Sequence, residues 1–413
     1  MLSTRFASSR AWAARLPAAT AALARRHNAT LQAQLPDIDP AKLVVEHNAS
    51  LKPKPKSEGL VFGRTFTDHM LTVPWNINNG WGAPKIVPYG PLSLDPSCTV
   101  FHYAQTLFEG MKAYRTPEGR VSMFRPDMNM RRMNTSASRI ALPTFDGEAL
   151  IELMKKLIRL DADWIPDQPG YSLYIRPTLI GTQPAIGVNP PDDALLFVIM
   201  SPVGPYFAAG FKPVALYGTT EYSRAAPGGT GAYKLGANYA PGVVPQKQAA
   251  VQGYAQNLWL HGPEHHLTEV GTMNMFVALR DPATDVVELI TPPLDGMILP
   301  GVTRDSVLTI AREHISGRRP ITGLPAADKL VVNERPITMQ EVKSAAINGT
   351  LVELFGTGTA AIISPVNRIG YLGEDVLIPT GPKGMGPLSQ AILDEIVGRQ
   401  RGTIKSDWNV VVP

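Results

Sequence analysis

The chain holds 413 residues, 44% hydrophobic and 18% charged, the composition of a globular protein long enough to fill two sizeable cores. Its single cysteine, Cys98, excludes an internal disulfide and a paired-thiol site, and no apolar run is long enough to span a bilayer. The formal charge of +4 comes from the N-terminus: residues 1–36 hold five arginines and no acid or lysine, so the remainder carries −1 and offers no electrostatic footprint for nucleic acid.

Arg5, Arg10, Arg15, Arg25 and Arg26 are interleaved with Ala, Ser, Leu, Phe and Trp, the makeup of a mitochondrial transit peptide over residues 1–36; the competing reading is a basic tail that binds an anion. Residues 37–59, with Lys52-Pro53-Lys54-Pro55-Lys56, read as an extended linker or arm, and the ordered body is expected from near Leu60. Residues 60–202 are expected to form a first, smaller α+β domain. Strand patterns occur at Phe66–Val73, Thr99–Ala104, Phe108–Tyr114, Tyr171–Ile180 and Ala194–Met200, and helical ones at Pro126–Ser138 and Ala149–Ala162. The Pro- and Gly-bearing run Ser201–Tyr206 opens a linker, placed over residues 203–213. Residues 214–413 are expected to form a larger α/β domain. Its helices are predicted at Val243–Gln252, Val307–His314, Met339–Ile347 and Leu388–Gly398. Its strands are predicted at Asn257–Leu260, Met275–Leu279, Val286–Ile290 and Leu351–Phe355.

Lys234 stands alone in the glycine-rich, uncharged stretch Gly228–Tyr239. Glycines let backbone approach another group closely, and a lysine among small and aromatic residues loses hydration, which lowers its pKa and frees a nucleophilic amine. A phosphate-binding P-loop is excluded because Leu235, not Ser or Thr, follows the lysine; a plain surface loop remains the bland alternative. Gly356-Thr357-Gly358-Thr359-Ala360-Ala361 fits a dinucleotide fingerprint only formally, since Pro365 cuts short any following helix. A turn offering N–H groups and hydroxyls to an anion suits it better, and Gly301-Val302-Thr303 offers the same at a helix start. Glu269 is the only charge between Glu264 and Arg280 and needs a cation, either a structural partner or a protonated pyridine nitrogen. Arg132 is a phosphate anchor or a solvated helix residue. Arg176, within Leu173–Ile180, calls for an anion such as a substrate carboxylate or an internal acid.

These stretches, with Phe62–Met70, Leu107–Ala113, Pro300–Arg304 and Phe355–Ala360, resemble the eukaryotic mitochondrial branched-chain amino acid aminotransferases, of the class IV pyridoxal-phosphate-dependent family. The resemblance runs from about residue 60 to 370 in the family's order. It implies an α/β, two-domain fold-type IV enzyme that uses pyridoxal 5'-phosphate and no metal. It implies reversible amino transfer between L-leucine, L-isoleucine or L-valine and 2-oxoglutarate through an internal aldimine on Lys234. Small amino acids and 2-oxo acids would be its partners, in a homodimer of the mitochondrial matrix, with neither nucleic acid nor membrane. By the same resemblance Glu269 pairs with the pyridine nitrogen, Tyr239 with the ring oxygen, and Arg132, Val302, Thr303 and Thr359 with the phosphate. Phe62, Tyr103, Phe108, Tyr174, Arg176 and Tyr206 would line the substrate pocket. Thr272, Met273 and Ala360 would form its opposite wall and the turn that receives the α-carboxylate. Some animal members carry a redox-sensitive thiol pair where this chain has Ala361 and Ser364, so that switch is absent. Two other readings are a D-amino acid transaminase or lyase of the same fold, and a non-enzyme that keeps the motifs as relics.

Overall fold

The structure, a computed structural model, describes residues 35–205 and 212–413. The expected transit peptide, save its last two residues, and Tyr206 lie outside them.

One sheet is built from β1 (Val44–Val45), β2 (His69–Asn76), β3 (Gly80–Trp81), β4 (Lys85–Pro88), β5 (Thr106–Phe108), β6 (Met111–Arg115), β7 (Val121–Phe124), β8 (Ser172–Gly181) and β9 (Asp193–Val203), completed by a strand from the far end of the sequence, Asn409–Val412. Its central order is β4-β2-β9-β8-β6-β7, and β5 pairs with β8 beside it. Helices α1 (Thr99–Tyr103), α2 (Pro126–Arg139) and α3 (Gly147–Leu160) belong to the same half. α3 starts where Asp146 caps the N–H of Glu148, and buries Leu150, Ile151, Leu153, Met154, Leu157 and Ile158, each worth about 1.5–3 kcal/mol. They pack with Met130 and Met133 of α2 against Leu173, Ile175 and Leu179 of β8. Strand alternation turns Tyr174 and Arg176 of β8 to the opposite face, which is how an arginine is tolerated in an apolar strand.

The second sheet comprises β10 (Val214–Thr219), β11 (Gln256–His261), β12 (His266–Val270), β13 (Met273–Arg280), β14 (Val287–Thr291), β15 (Leu330–Glu334), β16 (Leu351–Gly358), β17 (Ile362–Tyr371) and β18 (Glu374–Leu377). β12 pairs with both β11 and β13, so β10, β11, β12, β13, β16 and β17 close into a six-stranded ring. Its companions are α4 (Val243–Val251), α5 (Val302–Ile315), α6 (Met339–Ile347) and α7 (Pro387–Gln400). Phe276 and Phe355, stacked at 5.3 Å, pack with α5 and α7; Met275 and Val277 face the other way, with Met339 and Val342 of α6. Among the described residues no helix is long and apolar enough to cross a membrane.

Four expectations need correction. Residues 99–103 are helical rather than extended, ending at Ala104 in the left-handed region; Phe101 and Tyr103 are exposed, so their β propensity finds no sheet to join. The arm before Leu60 is part of the body. Ile38 is buried, β1 pairs with β4, and Lys52 donates to the carbonyls of Phe66 and Thr67 at 2.8 and 2.6 Å. β9 runs through Pro202 to Val203, so the linker does not open at Ser201. Finally, β19 (Asn409–Val412) pairs antiparallel with β7, so residues 214–413 do not form a unit confined to the second sheet.

Candidate active site

Lys234 belongs in sequence to the second half but is pinned by the first. Its N–H donates to Ser136 Oγ of α2 at 2.9 Å, its carbonyl accepts the Phe108 N–H at 3.2 Å, and Leu235 bridges to Leu107 of β5. Its Nζ donates to the Tyr239 hydroxyl at 3.2 Å and lies 4.8 Å from the Phe108 ring centre. Burial brings the ammonium down to about 8, helped by Arg132 and Arg176 and opposed by Glu109 and Glu269. Near neutral pH a usable fraction is therefore free amine, the condition its sequence setting suggested. Burial, and then Glu269, push the Tyr239 phenol well above its ordinary value, so it stays a hydroxyl.

Arg132 is buried on α2 and is held by an acid that sequence reading missed. Its Nε and Nη2 donate to the two oxygens of Glu109 at 2.7 and 2.8 Å, and Nη1 donates to the Pro300 carbonyl at 2.9 Å. Burial would raise the Glu109 carboxyl, but Arg132 more than offsets it and holds it below the ordinary value. The signal was present: Glu109 is the only acid between Asp95 and Glu118, set beside Gly110 in an apolar run. Replacing it leaves a buried guanidinium without its counter-charge, so Glu109→Gln is expected to cost about 3–5 kcal/mol in denaturant unfolding; wild-type stability would show that Arg132 is compensated elsewhere. Just beyond Pro300, α5 begins. Its first residues, Val302 and Thr303, are buried, and Gly301 at the N-cap brings no side chain to satisfy their N–H groups.

Glu269, on β12, has its Oε2 2.7 Å from Arg224 Nη2; its Oε1 accepts from the Leu299 N–H at 2.8 Å and from Asn274 Nδ2 at 3.1 Å. Burial pushes its carboxyl up, and Arg224 opposes this. Arg224 is thus the internal cation that the sequence left open, and nothing in the sequence joins two residues so far apart.

Between these groups lies a cavity of about 430 Å³, lined on one side by Phe62, Phe108, Tyr174 and Arg176, on the other by Thr272, Met273, Thr359 and Ala360, with Lys234 and Tyr239 at its base. A second chamber of about 420 Å³ shares Tyr239, Gln256 and Thr272 with it and reaches Glu269, Arg224 and Leu299. A third of about 540 Å³, between β10 and α4, holds none of these groups. Arg176 Nη2 donates to the Tyr174 hydroxyl at 3.1 Å and its guanidinium lies 4.7 Å from the Phe108 ring; its buried Nε has no partner among the described residues. Phe62 packs edge-on against Tyr174 at 4.9 Å. Gly110 makes room for the Tyr174 hydroxyl, which any Cβ there would strike.

Of the described residues predicted to line the substrate pocket, one is not brought into this cavity. Tyr103 is exposed on α1, its hydroxyl donating to the Ile186 carbonyl, and Tyr206 lies outside the described residues. Conversely, Lys112 of β6 was missed. It is buried, and its Nζ donates to the Ala360 carbonyl at 2.9 Å. Burial alone takes its ammonium down to about 8. Below pH 8 the folded protein must carry this buried charge, whereas above about 10.5 the unfolded chain loses its proton too. Lys112→Met is therefore expected to be more stable than wild type below pH 8, by roughly 3 kcal/mol less the lost bond to Ala360. That gain should shrink as pH rises from about 8 to 10.5. Thermal unfolding across this range checks it, and a constant difference would show that Lys112 does not titrate there.

The fold and this site define a class IV amino-transferase: residues 106–369 match that family. The cytosolic branched-chain-amino-acid aminotransferase of Saccharomyces cerevisiae is 54% identical over 91% of this chain and 97% of its own length. The mitochondrial one is 53% identical over 91% and 93%, and its mitochondrial counterpart in Schizosaccharomyces pombe 48% identical over 90% and 85%. The crystal structure of the Escherichia coli branched-chain amino acid aminotransferase shares the fold, at 24% identity and a TM-score of 0.66, covering 84% of this chain and 99% of that one. The chain belongs to the branched-chain-amino-acid aminotransferases.

Proposed function

We propose that this chain moves the amino group of L-leucine, L-isoleucine or L-valine to 2-oxoglutarate, reversibly, with pyridoxal 5'-phosphate as cofactor. One observation carries the proposal: a partly buried lysine, its ammonium brought down to about 8, shares its surroundings with a carboxylate able to meet a ring cation and a helix start able to meet a phosphate. The residues fit that cofactor. Arg132 spends three of its five N–H groups within the protein and keeps two, beside the uncapped N–H groups of Val302 and Thr303. Thr359 adds a hydroxyl at the same end, its Oγ1 only 3.4 Å from the Gly110 carbonyl. Glu269 offers charge at the other end and Tyr239 a phenol between them.

When bound, the cofactor supplies an aldehyde and an electron-withdrawing ring. Lys234 Nζ would be its covalent anchor and, when free, the base that takes the substrate α-proton. Tyr239, kept protonated, would donate to an oxygen on the ring. Glu269 would hold the ring nitrogen protonated. Phe62, Phe108 and Tyr174 exclude water around a branched alkyl chain, Met273 closes the far wall, and the Thr272 and Ala360 turns receive the α-carboxylate. Arg176 takes the distal carboxylate of the second substrate pair. The test is release of 4-methyl-2-oxopentanoate from L-leucine and 2-oxoglutarate by the cofactor-loaded protein, with D-alanine as control. Activity on D-alanine alone, or on neither, would overturn the assignment.

The same reading places the enzyme in the mitochondrial matrix, directed by residues 1–36, although relatives include cytosolic enzymes. Fusion of residues 1–36 to a fluorescent protein tests this; a diffuse cytosolic signal would refute it. It also makes the enzyme a homodimer. Phe101, Tyr103, Ile186 and Val188 form an exposed apolar patch, joined by the Tyr103–Ile186 bond, that a second copy would cover. Sedimentation as a monomer at micromolar concentration would refute that.

A further inference from the structure

Asn274 of β13 stands directly opposite Glu269 in the β12–β13 pair. Both are almost fully enclosed, at 4% and 2% exposure. The single amide nitrogen of Asn274 serves two acceptors, Glu269 Oε1 at 3.1 Å and the Leu299 carbonyl at 2.8 Å. The Leu299 N–H returns to the same Glu269 oxygen at 2.8 Å, closing a small loop of hydrogen bonds. The other end of the amide is fixed as well: Oδ1 lies so close to Gly301 that any Cβ there would collide with it, and Gly301 is the residue from which α5 starts. The amide thus has one rotamer and one flip open to it, set by a carbonyl on one side and a glycine on the other. Glu269 Oε1 is held by neutral donors, while Arg224 holds Oε2. A carboxylate gripped by a guanidinium alone would swing about that contact. The second and third bonds fix its plane.

We propose that Asn274 is the positioning residue that fixes the plane of the Glu269 carboxylate, and so aims it at the ring nitrogen of the cofactor. This rests on reading the site as one for pyridoxal phosphate. Asn274 touches neither substrate nor reacting atoms; it acts through Glu269. Its loss should be felt by a ligand with a ring nitrogen and ignored by one without.

The experiment compares pyridoxal phosphate with 1-deazapyridoxal phosphate, in which a C–H replaces the ring nitrogen, binding to apoprotein followed by absorbance. Wild type is expected to prefer pyridoxal phosphate. Asn274→Leu, of similar volume, and Asn274→Ser, smaller and still polar, are each expected to reduce that preference at least fivefold. The two variants guard against one of them failing to fold, and apoprotein melting verifies which did. An unchanged preference in the folded variants, whether both ligands weaken equally or neither weakens, would overturn the role of Asn274 and leave the cofactor reading intact. Wild-type protein that binds neither ligand would overturn both.

Discussion

Lys234→Ala is expected to lose more than about 10⁴-fold in amino transfer while keeping its fold, because one side chain serves as covalent anchor and as base. The fold should survive because what ties this loop to α2 and β5 is backbone: the N–H on Ser136, the carbonyl under Phe108, and the Leu235–Leu107 bridge. The lost contacts of Nζ are one hydrogen bond to Tyr239 and the faces of two rings. Removing a partly buried cation also removes its desolvation cost, so melting should hold or rise. Lys234→Arg is expected to be equally dead, since a guanidinium does not give up its proton. Added methylamine should restore part of the rate to Lys234→Ala by supplying the missing base. Turnover within tenfold of wild type in Lys234→Ala would move the chemistry to another residue, and Lys112 is the buried lysine of this neighbourhood.

Arg176→Ala is the second large effect, and it is selective. The guanidinium is fixed by the Tyr174 hydroxyl and the Phe108 face, which leaves its buried Nε as a donor in need of an acceptor. A branched alkyl chain provides none; the distal carboxylate of glutamate or 2-oxoglutarate does. Without Arg176 that carboxylate enters an apolar pocket unpaired, at about 3–5 kcal/mol, so kcat/KM for 2-oxoglutarate should fall about 10²–10⁴-fold. Leucine should lose less than about tenfold. Equal losses for both would show that Arg176 shapes the pocket without reading the distal charge.

How far the sequence reached depends on the range of the interaction. The 3.6-residue spacing from Leu150 to Ile158 and the period-two run from Leu173 to Ile180 are local, and both became the elements they announced. Lys234 and Glu269 were legible because an isolated charge in an apolar stretch is an energetic anomaly visible without a fold. Glu109 presented the same anomaly and was passed over. Arg224, Asn274 and Lys112 gave no such warning: each matters through a partner 25 or more residues away. Residues 99–103 went the other way. Their β-branched and aromatic side chains promised a strand, and tertiary surroundings that offered no neighbouring strand overrode the promise.

The pairing of β7 with β19 also bears on how the protein comes into being. These strands are neighbours in space, yet the whole second sheet lies between them in the chain. A ribosome delivering the sequence in order finishes α2, α3 and every other strand of the first sheet long before the last one exists. Throughout that interval β7 is an open edge, a row of unpaired backbone groups able to recruit another nascent chain. The first half of the enzyme is therefore among the earliest parts to be made and the last to be sealed, and a chaperone that shields one short strand would protect the whole molecule until it is.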